Sequence, residues 1–279
     1  MKVVGKHLVG ERALFASRNI EIYDTVFSDG ESPLKESRSV RLDACIFRWK
    51  YPLWYCDGVS VRNTALVDTA RSGIWYTNNI SMNNCTIDAP KTFRRSKNIL
   101  LKNVTLTNAS ETMWSCSDIH LYDVSVRGDY FCMNSIGIEA DRLNISGNYA
   151  FDGGMNIIIK NSRLISKDAF WNCENVIVEN SIIIGEYLGW NSRNIKFINC
   201  TIESNQGLCY MDNVVLENCK LINTDLAFEY SSVNADIKSD IISVKNVSSG
   251  SIVADSIGEI IMEDKFVDIS KTTIEERCE

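Results

Sequence analysis

The sequence predicts an all-β fold, a β-solenoid of about 13 coils of ~19–20 residues, on three observations. A short motif recurs at near-constant spacing, apolar residues alternate within each copy, and asparagine occupies fixed places in the repeat. The clearest copies are NISMNNCTI (Asn79 to Ile87), NIKFINCTI (Asn194 to Ile202) and NVVLENCKL (Asn213 to Leu221). Weaker copies begin at Asn98, Asn156 and Asn175.

Taking the first apolar residue of each copy as an anchor gives Ile20, Val40, Val59, Ile80, Ile99, Ile119, Ile138, Ile157, Val176, Ile195 and Val214. The spacings are 20, 19, 21, 19, 20, 19, 19, 19, 19 and 19 residues. Two residues after each anchor, and again seven after it, the side chain is apolar in every copy. Alternation around the anchor is the signature of a strand with one buried face, so each copy gives one strand to a common sheet. No 3.6-residue periodicity is present and the period is too short for ankyrin-type repeats, which leaves stacked parallel strands. Coils of this length suit a three-sided turn.

The chain holds 26 asparagines, and the repeat explains them. Asp24, Asn63, Asn84, Asn103, Asp123, Asn161, Asn180, Asn199 and Asn218 stand four residues after an anchor, with only Ala44 and Arg142 breaking the column. Asn19, Asn79, Asn98, Asn156, Asn175, Asn194 and Asn213 stand one residue before it. Asparagine tolerates left-handed backbone at tight turns. Stacked at ~4.8 Å, its amide can bond to the coils on either side and satisfy buried turn groups. Cysteines also fall into columns: Cys45, Cys85, Cys200 and Cys219 five after the anchor, and Cys56, Cys116 and Cys173 three before it. Their column mates are Thr, Ser, Val and Gly, so these are small inward residues, and Cys200 and Cys219 are expected to be stacked neighbours.

Composition narrows the function. The chain has 279 residues, 45% hydrophobic and 23% charged, with a net charge of -7, which describes a folded and acidic protein. Bulk charge argues against nucleic-acid binding, and no apolar run approaches the ~18 residues of a membrane span. The opening MKVVGKHLVG lacks the core of a secretory signal, so a reduced, cytoplasmic protein is expected. There is no CxxC pair and there are two histidines, so no metal and no cofactor are expected. Phosphate-loop, nucleophile-elbow and zinc-helix motifs do not occur.

No break interrupts the period, so residues 1–279 read as one β-helix domain, regular over 1–230 and irregular over 231–279. In the latter segment Ile237 and Ile260 are displaced anchors, followed by a charged tail from Glu275 to Glu279. An open end invites pairing with a second copy, so a homo-oligomer is an expectation.

This architecture resembles the right-handed, single-stranded β-helices of the pectin-lyase type, including their asparagine ladder. More narrowly, the GERALF segment (Gly10 to Phe15) and the short aromatic coils resemble a bacterial family labelled domain of unknown function 3737, which supplies no activity. The pectin-lyase resemblance implies sugar chemistry, but the motifs depart from it. Galacturonase-type β-helices carry NTD, DD, GHG and RIK segments; here only Asn223 to Asp225 reads NTD. Calcium-dependent pectate lyases cluster acids beside an arginine, and Asp152 lies coils away from Arg94 and Arg95.

Candidate sites must therefore come from outward columns. Trp54, Trp75, Arg94, Trp114, Trp171 and Trp190 stand five residues before an anchor, in a column that also accepts Lys35 and Asp152. Charged members are costly to bury, so the side is expected to face water. Tyr51, Tyr130, Tyr149 and Tyr187 form a partial column nearby. Exposed aromatics in register stack on sugar rings, and Arg94 and Arg95 are suited to a uronate or sulfate. Glu111, Asp129 and Asp152, with Asp168 nearby, are candidate catalytic carboxylates, since glycoside hydrolysis needs two acids ~5–9.5 Å apart. His120 and Glu139 are a second candidate acid–base pair. The leading reading is recognition or processing of a carbohydrate or glycoconjugate. The rival is a non-catalytic scaffold whose Trp side meets itself or a protein partner.

Overall fold

The computed structural model describes residues 1–277. They form a parallel β-solenoid of about 14 turns. Strands and two short 3-10 segments are the only regular elements among the described residues. The chain divides into two compact units, Met1–Asn144 and Ile145–Glu279.

In the first unit, Arg18–Tyr23, Arg38–Asp43, Asp57–Arg62, Asn78–Ile87, Lys97–Leu106 and Ser117–Arg127 pair in parallel, one per coil. Their register runs Ile20, Val40, Val59, Ile80, Ile99, Ile119, as the repeat predicts. All six are buried, as are the residues two positions on, because alternation sends every second side chain inward. Short strands such as Val26–Ser28, Ile46–Phe47 and Ala65–Leu66 make a second side, where Phe27 and Phe47 stack at 4.6 Å. In the second unit Ile157, Val176, Ile195, Val214 and Val233 continue the same register.

The asparagine ladders form, but on the outside of the turns. Asn63 donates its amide to Asp43, Asn84 to Asn63 and Asn103 to Asn84, at 2.7, 2.6 and 3.2 Å, all between exposed side chains. Asn180, Asn199 and Asn218 repeat the pattern in the second unit. The expectation that these amides satisfy buried turn groups is corrected: left-handed backbone throws the side chain outward. Every such bond runs from a later coil to an earlier one. A one-way ladder needs an acceptor at its base, and Asp43, Asp57 and Asp152 fill that place. Where Arg142 replaces asparagine, it forks onto the Asp123 carboxylate at 2.5 and 3.0 Å.

The buried ladder is made of hydroxyls and thiols instead. Three residues before the anchor, Thr77 and Ser96 accept the backbone N–H of Cys56 and Thr77 at 3.1 Å. Cys56 and Thr77 then donate to the Leu34 and Leu53 carbonyls. Burial pushes the Cys56 thiol up to about 12, so it keeps the proton it donates. Cysteine is thus a hydroxyl substitute here, and all nine cysteines among the described residues are free and buried.

The third side is not a strand in either unit; positive φ angles recur at alternate positions along it. Lys91, Phe93 and Arg95 have positive φ in one coil, Glu111, Met113 and Ser115 in the next. Earlier in the first unit the middle position, at Leu14, Leu34, Leu53 and Ile74, is not left-handed. This change reverses a hydrogen bond. Leu14, Leu34 and Leu53 donate N–H to the following coil, whereas Met113 and Cys132 donate to the preceding one. Isoleucine at 74 suits the first arrangement, because β-branched residues are strained at positive φ.

The C-terminal register corrects the sequence reading. Val233 pairs with Val214 and Gly250 with Val233, so one coil shortens to 17 residues. Gly250 lies at φ +112°, and a Cβ there would strike the Val233 carbonyl, so only glycine permits the close approach. Ile237 ends the strand Ser232–Ile237, paired with Cys219 after a register shift, and Ile260 joins a separate pair of strands, Asp240–Lys245 and Ser256–Ile261. Glu275 and Glu276 belong to the strand Thr272–Glu276 rather than to a tail. The rest of that expected tail, beyond Arg277, lies outside the described residues.

Candidate functional site

The tryptophan column is half-buried, and its rings stack on one another. In the first unit the Trp54 and Trp75 centroids are 5.1 Å apart with planes 8° from parallel. Arg94 lies between Trp75 and Trp114, its guanidinium carbon 4.7 and 4.6 Å from the two rings. Each indole N–H donates to a carbonyl one coil on: Trp54 to Ser72, Trp75 to Lys91 and Trp114 to Tyr130, at 2.5, 2.8 and 2.7 Å. Stacking at coil spacing therefore covers the ring faces and leaves edges toward water. Sugar stacking uses faces, so this part of the column is better built for stability than for a saccharide.

Arg94 is held further by Glu111, 3.5 Å from its Nη2, and Glu111 also pairs with Lys91 at 3.1 Å. Its Nε is the one buried side-chain polar atom without a partner among the described residues. Cation–π contact on both faces is what offsets that loss. Beside this stack, Tyr55 and Tyr76 form a second one at 4.8 Å and 5°, with Arg95 exposed on the following coil.

The second unit begins in the same way and then opens. Trp171 and Trp190 are nearly parallel at 6.0 Å and 11°, and their N–H groups reach the Tyr187 and Gln206 carbonyls. The next ring, Tyr210, is 5.0 Å from Trp190 but tilted by 59°, and the residue is 44% exposed. Tyr210 itself belongs to the turn column four before the anchor, where Gly153, Asn172 and Asn191 precede it; the same column holds Tyr55, Tyr76 and Arg95 earlier in the chain and narrows at Ser115 and Asn134. An open groove of about 450 Å³ results. One wall is Asn172, Asn191 and Tyr210; the other is the row Glu174, Arg193 and Asp212, on successive strands. Arg193 reaches Glu174 at 2.5 Å, Asn191 donates to Asn172 at 2.8 Å, and Asn172 donates to Asp152 at 2.9 Å.

The candidate acids are dispersed. Glu111 is engaged by Lys91 and Arg94, and Asp129, exposed, lies on the coil after it. Asp152 lies in the second unit, as the base of the short amide ladder. Asp168 is buried, and that burial pushes its pKa up, opposed by the Tyr149 hydroxyl that donates to it. His120 Nδ1 is 3.3 Å from Glu139 on an exposed strand face. No group of three or more metal-ligating side chains occurs among the described residues. Sequence reasoning reached Trp171 and Trp190 but missed Asn172, Asn191, Glu174, Arg193, Tyr210 and Asp212. The available signal was the run of small residues in one turn column, from Ser115 to Asn191, that ends at Tyr210.

Residues 2–275 match the family model described as "Protein of unknown function (DUF3737)". Among curated proteins, none matches the sequence. Among solved structures, PfbA, a surface adhesin of Streptococcus pneumoniae, aligns with a TM-score of 0.42 at 10% identity, over 82% of this chain and 73% of that one. The A-module of the Azotobacter vinelandii mannuronan C-5 epimerase AlgE4 aligns at 0.38 and 9% identity, over 99% of this chain and 89% of that one. Likeness at this level transfers no residue's role to this chain.

Proposed function

The chain belongs to the DUF3737 family, and from that premise we propose that it recognises a carbohydrate or glycoconjugate, with the binding site in the groove of the second unit. The observation that carries this reading is the exposed Tyr210 ring, tilted against both Trp190 and Tyr230 and bordering a concavity walled by amides and charged groups. An aromatic platform flanked by polar groups is what a saccharide needs: a partly apolar ring face and a rim of hydroxyls. Asp152 is already an acceptor in the ladder, and Glu111 is already paired, so the proposal is recognition rather than cleavage.

The test is intrinsic fluorescence titrated with oligosaccharides. We expect a response that Tyr210→Ala abolishes and Trp75→Ala leaves in place. A protein that responds to no saccharide overturns the reading.

The rival, a scaffold that docks through the Trp side, is favoured by the outward ring edges of the Trp54, Trp75, Arg94 and Trp114 stack. It predicts a larger assembly in light scattering that Trp75→Ala dissociates.

A further inference from the structure

We infer that the groove of the second unit selects neutral or amino sugars and disfavours uronates and sulfated sugars. This rests on the carbohydrate reading above and sharpens it to a ligand class. The charges on the walls run in sequence along one row. Glu174, Arg193 and Asp212 occupy matching positions on three adjacent strands, giving negative, positive, negative. Arg193 is the one cation lining the groove, and Glu174 holds it at 2.5 Å. Asp212 adds to the same field, and both carboxylates hold the guanidinium in its charged form. An incoming anion would therefore have to displace Glu174 from Arg193 while approaching Asp212. The lining as a whole is one negative charge in excess.

The opposite wall points the same way. In the amide ladder each asparagine donates to the coil before it, so its own carbonyl oxygen waits for a donor from the coil after it. Asn172 receives that donor from Asn191. For Asn191, which lines the groove, the next residue in the column is Tyr210, which supplies no amide, so the ladder ends there and the Asn191 oxygen accepts no bond from the following coil. Asp212 is likewise an acceptor, bonded at one oxygen by Ser232 Oγ at 3.0 Å. Open acceptors on both walls call for donors, which hydroxyls and ammonium groups supply and carboxylates and sulfates do not. At ~4.8 Å per coil, the four coils that line the groove span roughly 15 Å, enough for a short run of sugar residues.

The experiment is a glycan array carrying neutral, amino-sugar and uronate or sulfated oligosaccharides, probed with the full chain and with Glu174→Gln and Asp212→Asn. We expect binding confined to neutral and amino sugars and insensitive to salt for the neutral ones. Asp212→Asn should weaken an amino sugar roughly fivefold to tenfold, as expected for one nearby charge, and leave a neutral one little changed. Glu174→Gln, by freeing Arg193, should bring acidic oligosaccharides into range. Binding of uronates or sulfated sugars by the unaltered chain as strong as that of neutral ones overturns the selectivity and leaves the carbohydrate reading standing. Failure of all three classes overturns the reading itself. Retained thermal stability of both variants shows that lost binding is not unfolding.

Discussion

Two stretches of the molecule, one in each unit, place different side chains at the same left-handed turn position. In the first, Tyr55 and Tyr76 fill the turn and stack, and the neighbouring Trp column is sealed by Arg94 between two indoles. In the second, Gly153, Asn172 and Asn191 leave the turn open, and the tilted Tyr210 ring borders the space. The backbone is left-handed at these positions in both. The scaffold therefore offers the same exposed positions on every coil, and side-chain size decides between a stacked ladder and a groove.

If that difference is confined to the surface, the interiors should respond alike. Phe93 and Phe170 occupy the same inward position, and both are fully buried. Truncating a buried phenylalanine costs about 3–5 kcal/mol through lost burial and the cavity left behind. Phe93→Ala and Phe170→Ala should each lower stability by that amount in urea unfolding. A large inequality would mean that the two units differ in packing as well as in surface.

The next effect separates the surfaces themselves. Arg94→Ala removes a cation shared by Trp75 and Trp114, at about 0.5–2 kcal/mol for each cation–π contact. A loss of about 1–3 kcal/mol in chemical unfolding is expected, while saccharide binding in the second unit is unchanged. Tyr210→Ala should do the reverse, losing binding at little cost in stability. Should Arg94→Ala prove neutral, the first stack is not structural, and its faces are open to another role.

The fold was legible because repetition averages over local ambiguity. Eleven anchors set the expected strand register, and the pairs from Ile20 to Ile119 and from Ile157 to Val233 follow it. Periodicity failed where coil length changed, at Gly250, since no column survives a shift of register. The site was harder to read for a different reason. A column shows which side of a coil a side chain leaves from, but not its torsions, so it puts Trp54 and Trp75 in one row without showing that their faces are covered. Tyr210 was missed because its coil carries Cys209 in the tryptophan column, which hid the aromatic one position along.

The smallest effect concerns a pair of acids in one column, Glu111 and Asp168. Glu111 is half-buried and paired with two cations, whereas Asp168 is 2% exposed and lies between the Tyr149 and Tyr187 coils. Burial raises the Asp168 pKa, and the Tyr149 hydrogen bond only partly opposes it. A carboxyl whose pKa is higher folded than unfolded favours the folded state most when protonated. Its contribution is full below the ordinary aspartate value of ~3.9 and is lost as pH rises through the folded value. Asp168→Asn keeps an acceptor for Tyr149, tolerates the left-handed backbone and cannot ionise. The variant should therefore melt above the parent at pH 7, and the gap should close as pH falls toward the unfolded aspartate range. A variant that melts below the parent at pH 7 would show that Tyr149 supports the ionised form, and that the second unit, like the first, holds its column acid as a stabilised charge.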